Sequence, residues 1–211
     1  MKPTVTIIDY GMGNLLSVCR AFEHVGATVI LSSNPEDIRQ TTHLVLPGVG
    51  AFGDGMAELK RRGLIEPIKQ CTHDGIPLLG ICLGAQMLLD VSEEFGSHQG
   101  LGLIHGEVRA VPPTGINGPA LKVPHVGWAD LESEHNHPLL IGLPAHSAVY
   151  FVHSFQGHPS DEHDLIGYCD FGGHRLSAII GHGQVTGCQF HPEKSGPVGL
   201  GILKNFLEQP A

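Results

Sequence analysis

Short apolar runs alternate with stretches whose apolar positions recur at helical spacing. Residues 5–9 (Val-Thr-Ile-Ile-Asp), 28–31, 43–46 and 77–81 read as strands, and their nearly unbroken apolar character fits burial on both faces of a parallel sheet. Between the first two, Leu15, Val18, Cys19, Phe22 and Val25 repeat as one helical face. Asn14 is placed to cap that helix and Gly26 to end it. Asn34-Pro35-Glu36-Asp37 opens a short helix or turn, and residues 54–62 and 64–71 read as helices separated by Gly63. A further helix is predicted from Ala85 on. This β-α-β-α-β rhythm predicts an α/β fold, an open and mostly parallel central sheet flanked by helices.

From Leu103 the helical spacing fades. Val108, Val111, Val123 and Val126 lie in short β-like runs broken by Pro112-Pro113 and by Gly-Pro. Residues 148–152, 165–168, 177–180 and 185–189 read as strands, so an additional antiparallel β portion is predicted over about 103–190, packed against the parallel part. Gly199 to Leu207 reads as a closing amphipathic helix. With 211 residues, no repeat and no low-complexity linker, residues 1–211 are expected to form one domain.

Composition narrows the function classes. A formal charge of −9 argues against nucleic acid or an anionic membrane surface as a partner, since both recruit basic patches. Lys60-Arg61-Arg62 is the densest basic stretch and is expected to form a solvated helix face. No apolar run approaches the roughly 18 residues of a membrane span. Five scattered cysteines without a C-x-x-C pair, and no recognisable secretion signal, point to free thiols in a reducing cytosol. Of fifteen histidines, His135-Asn136-His137 is the nearest to a ligand pattern, but no H-E-x-x-H or Cys/His cluster accompanies it and no metal is expected.

Three stretches carry chemistry. Gly80-Ile81-Cys82-Leu83-Gly84 sets a cysteine between strand and helix with glycines on both sides, the logic of a nucleophile elbow. The turn would expose Cys82 at the carboxyl end of the sheet, where a helix N-terminus favours thiolate and the Leu83 N–H faces a forming oxyanion. A cysteine in an apolar run is often only a small hydrophobe, so its spatial partners decide. Leu46-Pro47-Gly48-Val49-Gly50 runs a strand into a glycine loop at the same sheet edge, where α/β folds bind ligands; it matches neither G-x-G-x-x-G nor a Walker loop. Phe190-His191-Pro192-Glu193 offers an imidazole and a carboxylate two residues apart, on one face if the chain is extended. Together they would supply nucleophile, base and orienting group.

G-I-C-L-G-A-Q at 80–86, F-H-P-E at 190–193 and L-P-G-V-G at 46–50, in that order, resemble the class I (triad) glutamine amidotransferases. D-Y-G-M-G-N-L at 9–15, P-G-V-G-A-F-G-D at 47–54, V-G-W at 126–128 and F-V-H-S-F at 151–155 narrow the resemblance to the glutaminase subunits of imidazole glycerol phosphate synthases, over essentially the whole chain. The resemblance implies that Cys82 attacks the side-chain amide of L-glutamine, that His191 moves the proton and that Glu193 orients His191. It implies oxyanion donors at Leu83 and in the Gly48-Val49 loop, which rearranges before it donates. Gly50, Gln86, Ser154 and Phe155 match positions near bound glutamine. No cofactor is expected. A separate (β/α)₈-barrel cyclase subunit is the expected partner in a heterodimer; it would receive the ammonia through a channel, in the cytoplasm. Asn14, Pro124 and Trp128 match the interface, while Val126 and Ala129 stand where relatives often carry methionine and asparagine. Two other readings stay open here: a glutaminase serving a different acceptor, and a non-catalytic binding module on the same fold.

Overall fold

The computed structural model describes residues 2–133 and 136–210. Its elements in order are β1 (Thr4–Ile8), α1 (Leu15–His24), β2 (Thr28–Ser32), α2 (Pro35–Arg39), β3 (Leu44–Gly48), α3 (Phe52–Arg61), α4 (Ile65–His73), β4 (Leu78–Cys82) and α5 (Leu83–Met87), then β5 (Val91–Ser92), β6 (His98–Gln99), β7 (Gly106–Ala110), β8 (His125–Leu131), β9 (Ser147–His153), β10 (Phe155–Pro159), β11 (Leu165–Phe171), β12 (His174–His182), β13 (Val185–Cys188) and α6 (Gly196–Leu207).

The main sheet has the order β11-β12-β13-β4-β3-β1-β2. From β13 to β2 all neighbours are parallel, and β12 and β11 continue the sheet antiparallel. Both faces are covered, which is why the strands read as unbroken apolar runs. Val5 and Ile7 of β1, Val45 of β3, and Leu79 and Ile81 of β4 join a core with Phe22 of α1 and Ile202, Leu203 and Phe206 of α6. Ile8, Leu44, Leu46 and Leu78 point the other way, to Ile38 of α2, Leu59 of α3, Ile68 of α4 and Met87 of α5. The period of two along each strand divides the sequence between the two cores.

The antiparallel portion differs from the sequence expectation. It is not one block packed on the parallel part: β13 is itself a parallel neighbour of β4, and β11–β12 extend the same sheet. Only β10-β7-β5-β6 and the β8–β9 ribbon form separate sheets. Alternation along a strand records which faces are buried, not which neighbour it pairs with. The strands β5, β6 and β10 were not expected. Smaller differences are also local. Asn14 sits at the cap of α1 without a side-chain capping bond. Arg62 is half-buried, with Nη1 donating to the Asp9 carbonyl at 3.3 Å, so only part of the basic triplet faces solvent. The helix after Ala85 is only five residues, Leu83–Met87; buried Leu88 and Leu89 close its last turn onto Ala85 and Gln86 before the chain enters β5.

Gly80 and Gly84 let β4 turn into α5. A Cβ on Gly80 would lie 2.7 Å from the Ala85 nitrogen, and one on Gly84 would overlap the Leu46 carbonyl oxygen of β3. Backbone lies on the other side in both cases and cannot swing away. Gly84→Ala is therefore expected to cost about 3 kcal/mol or more in a urea titration, whereas a Cβ on Gly26 meets nothing within 4 Å.

Candidate active site

At the end of β4 the chain reverses at Cys82, whose φ of 54° and ψ of −110° are unusual for a residue with a side chain. Such a conformation costs on the order of 1–3 kcal/mol and persists only where its surroundings impose it. Here the flanking glycines supply the room and Cys82 carries the strain. In the β3–β4 register Gly48 stands opposite Cys82, so the Pro47–Gly50 loop and the sulfur meet at one sheet edge. The glycines of that loop have different tasks. Gly50 takes a φ of 107°; Gly48 is packed so that a Cβ would collide with the Tyr10 hydroxyl and approach Leu83. The sequence expectation of a helix dipole behind the sulfur is reduced by the brevity of α5.

The imidazole and carboxylate arrive from the far end of the chain. After β13, the His191 N–H donates to the Tyr150 carbonyl of β9 at 2.9 Å. The Ser195 hydroxyl donates to the His191 carbonyl at 2.7 Å and accepts the Tyr150 N–H at 3.0 Å. Residues Pro192–Lys194 form a 3-10 turn, so His191 and Glu193 do not share a face of an extended segment as the spacing suggested. The turn instead folds the carboxylate back: Glu193 Oε1 lies 2.8 Å from His191 Nδ1, with both side chains buried. A carboxylate only accepts, so Nδ1 carries a proton and Nε2 is the free end. That nitrogen has no full hydrogen-bond partner, and neither does Glu193 Oε2. Burial opposes charge on the ring, but the approach of Cys82 and the Glu193 carboxylate outweigh it and raise His191 to about 9. Cys82, His191 and Glu193 are thus brought together.

A cavity of about 400 Å³ opens on this group, lined by Val49, Gly50, Leu83, Gln86, Ser154 and Phe155 together with Pro124. Gly48 lies buried beside it, while Asn14 and Trp128 are exposed and are not among its lining residues. Sequence reasoning missed His153 and Glu94, which also line it, and Gln189 behind it. Glu94 accepts the Phe52 N–H at 2.7 Å at the start of α3. His153 lay in the quoted F-V-H-S-F stretch and Gln189 one residue before F-H-P-E, so proximity to the motifs was the available signal. Gln86 Nε2 donates to the Phe155 carbonyl and to Gln189 Oε1, both at 2.9 Å, and Gln189 Nε2 lies 3.8 Å from Cys82 Sγ. His153 Nδ1 also reaches the Phe155 carbonyl, at 2.8 Å, and its Nε2 lies 3.1 Å from His125 Nδ1.

Among the described residues no group of three or more His, Cys, Asp or Glu is arranged to hold a metal ion, and His135 lies outside those residues. No described helix is long and apolar enough to cross a membrane. Cys71, Cys169 and Cys188 are buried packing residues, and burial pushes their thiols up, that of Cys169 to about 12.

A strand-to-helix turn holding a cysteine near a histidine–glutamate pair, at the carboxyl edge of a parallel sheet, is an arrangement able to support thiol-based acyl transfer. Residues 6–209 match the model of the class-I glutamine amidotransferase family. Solved structures of the same fold include PurLQS from Thermotoga maritima (TM-score 0.73, 22% identity, 98% of each chain) and a glutamine amidotransferase (TM-score 0.70, 19% identity, 92% of this chain and 93% of that one). The curated subunit HisH 1 of imidazole glycerol phosphate synthase from Legionella pneumophila (strain Lens) is 51% identical over 97% of this chain and 99% of its own. HisH of Sulfurimonas denitrificans is 46% identical over 97% of both. The chain belongs to the class-I glutamine amidotransferases and, within them, to the HisH subunits of imidazole glycerol phosphate synthase.

Two buried imidazoles give the stability a pH signature of opposite signs. Burial, partly offset by the Phe155 carbonyl, lowers His153 from 6.5 to about 4. The unfolded chain therefore binds that proton first, and stability falls as pH drops from about 6.5 through 4. His191 is raised, so its contribution is complete below 6.5 and is lost as pH rises through about 9. Urea midpoints measured across this range are expected to decline on both sides, and the acid decline is expected to be shallower in His153→Asn, where an amide replaces the Nδ1–H donor.

Proposed function

We propose that this subunit hydrolyses L-glutamine to glutamate and ammonia with Cys82 as nucleophile, and that the ammonia passes to a separate (β/α)₈-barrel cyclase subunit. Together the two would form a heterodimer with lyase activity, making imidazole glycerol phosphate and an aminoimidazole carboxamide ribonucleotide in histidine biosynthesis. The observation that carries the reading is the convergence of Cys82 with the His191–Glu193 pair at the mouth of a cavity. An amide is a poor electrophile, and its hydrolysis needs a strong nucleophile, an acid for the leaving nitrogen and donors for the oxyanion.

The chemistry follows from the atoms present. His191 Nε2 holds the proton taken from the Cys82 thiol, and the thiolate so formed attacks the amide carbon. Glu193 holds the ring by Nδ1 and stabilises the imidazolium. Collapse of the tetrahedral adduct breaks the C–N bond, and the His191 proton leaves with ammonia. Water, deprotonated by the same nitrogen, then cleaves the thioester to glutamate. The Leu83 N–H and one N–H from the Gly48-Val49 loop serve the oxyanion; Val49 is 42% exposed and Gly50 already left-handed, so the loop can rearrange without disturbing the core. Gly50, Gln86, Ser154 and Phe155 surround the glutamine.

The β8–β9 ribbon offers the face for the cyclase. His125, Gly127, Ala129 and Leu131 face inward with Val149, Phe151 and His153, while Val126, Trp128, Tyr150 and Val152 face outward. Trp128 is 58% exposed and meets Tyr150 edge-on. Ala129, one of the two departures at this edge, packs against the core, so Val126 alone changes the outward face. Asn14 and Pro124 are exposed and complete the proposed contact. The reading treats residues 1–211 as one domain, since strands from both ends of the chain share the main sheet. It sets the protein in the cytoplasm, where its five unbridged cysteines suit a reducing compartment.

Glutamate release, measured for the subunit alone, with the cyclase, and with cyclase plus nucleotide substrate, tests the assignment. Cys82→Ala is expected to lower the rate by about 10⁴-fold or more while leaving cyclase binding intact; a variant that still hydrolyses glutamine in the loaded complex overturns it. Trp128→Ala is expected to weaken cyclase binding by about 30-fold, read by calorimetry, with no change in the subunit's own melting temperature.

A further inference from the structure

Gln189 lies outside every assigned role, yet its side chain is buried between Gln86 and the Cys82 sulfur. Its backbone is fixed, because its N–H donates to the Ala178 carbonyl of β12 at 2.9 Å. The direction of its amide follows from the hydrogen bonds around it. The Phe155 carbonyl can only accept, so the Gln86 atom 2.9 Å away is the NH₂ group. The second proton of that group points to Gln189, which must therefore present its oxygen to Gln86. The Gln189 NH₂ is left facing Cys82 Sγ at 3.8 Å. One backbone carbonyl thereby fixes two amides and aims a donor at the sulfur.

We propose that Gln189 is a positioning residue for Cys82: its amide N–H holds the sulfur in place and faces the negative charge that forms there, beside the His191 ring. This rests on the reading of Cys82 as the nucleophile. A neutral amide suits the task. It donates at every pH and, unlike a second cation, it does not compete with His191 for the proton. The arrangement also joins the sulfur to the glutamine cavity, since Gln86, held by the Phe155 carbonyl, lines that cavity and bonds Gln189 behind it.

The test uses the subunit with its cyclase and nucleotide substrate. Gln189→Leu removes the donor at similar volume, and Gln189→Glu keeps the oxygen that Gln86 needs while setting a carboxylate against the sulfur. For Gln189→Leu, kcat for glutamate release is expected to fall by about ten- to a hundredfold, the effect of one hydrogen bond to a charged group, with KM within about twofold. Alkylation of Cys82 by iodoacetamide, followed by peptide mapping, is expected to slow in Gln189→Leu and to slow further in Gln189→Glu. Folded variants that alkylate Cys82 at the wild-type rate with unchanged kcat overturn the proposal, as does a loss confined to KM. If Gln189→Leu does not fold, the alkylation rate of Gln189→Glu decides alone. Activity that survives Cys82→Ala would instead overturn the nucleophile assignment, so the two failures are distinguishable.

Discussion

The structure depends on the close approach of α5 to the carboxyl ends of β3 and β4. Gly84 comes so near to Leu46 that its hydrogen cannot be replaced, and Gly80 is crowded, less severely, by Ala85. That contact holds Cys82 in a backbone conformation it would not choose, at the sheet edge and opposite Gly48. The strain is sustained by the two cores, which grip β3 and β4 from both sides. A looser elbow would relax the sulfur away from the position that everything else in the site is built around.

A second constraint is the accounting of buried polar groups. The site lies in a densely packed region, where an unpaired donor or acceptor is costly. Most of its atoms are paired through a branched set of bonds: His125 to His153, His153 and Gln86 to the Phe155 carbonyl, Gln86 to Gln189. The exceptions are His191 Nε2, Glu193 Oε2 and the Tyr10 hydroxyl, all near the sulfur or the glycine loop. In the proposed chemistry, such unpaired groups are the ones left for substrate atoms to meet. The same bonds link β8 and β9, the ribbon proposed to meet the cyclase, with the cavity. The proposed partner face and the proposed chemistry are therefore joined by one continuous set of buried hydrogen bonds.

The parallel half was legible because burial on both faces leaves a signature in every strand: Val5, Ile7 and Ile8, or Leu44, Val45 and Leu46, admit no polar face. The elbow was legible because glycine alone fits at positions 80 and 84, two residues to each side of Cys82. The pairing of β13 with β4 was not legible, and neither was the placement of β11 and β12 in the main sheet. Alternating apolar residues specify a face and leave the neighbour open. The His191–Glu193 contact was expected from the right residues for the wrong reason: the spacing implied an extended segment, and Pro192 starts a tight turn instead.

By itself the sequence determined the strand and helix alternation, the glycine-flanked cysteine and the presence of an imidazole and a carboxylate near the other end. These are local properties, set by burial period, steric room and side-chain chemistry. Only the tertiary structure decided that Gln189 faces the sulfur, that His153 backs the cavity, and that Ala129 turns inward while Trp128 turns out. Those outcomes depend on contacts between residues far apart in the chain, and the geometry that joins them is imposed by the packing of the whole sheet.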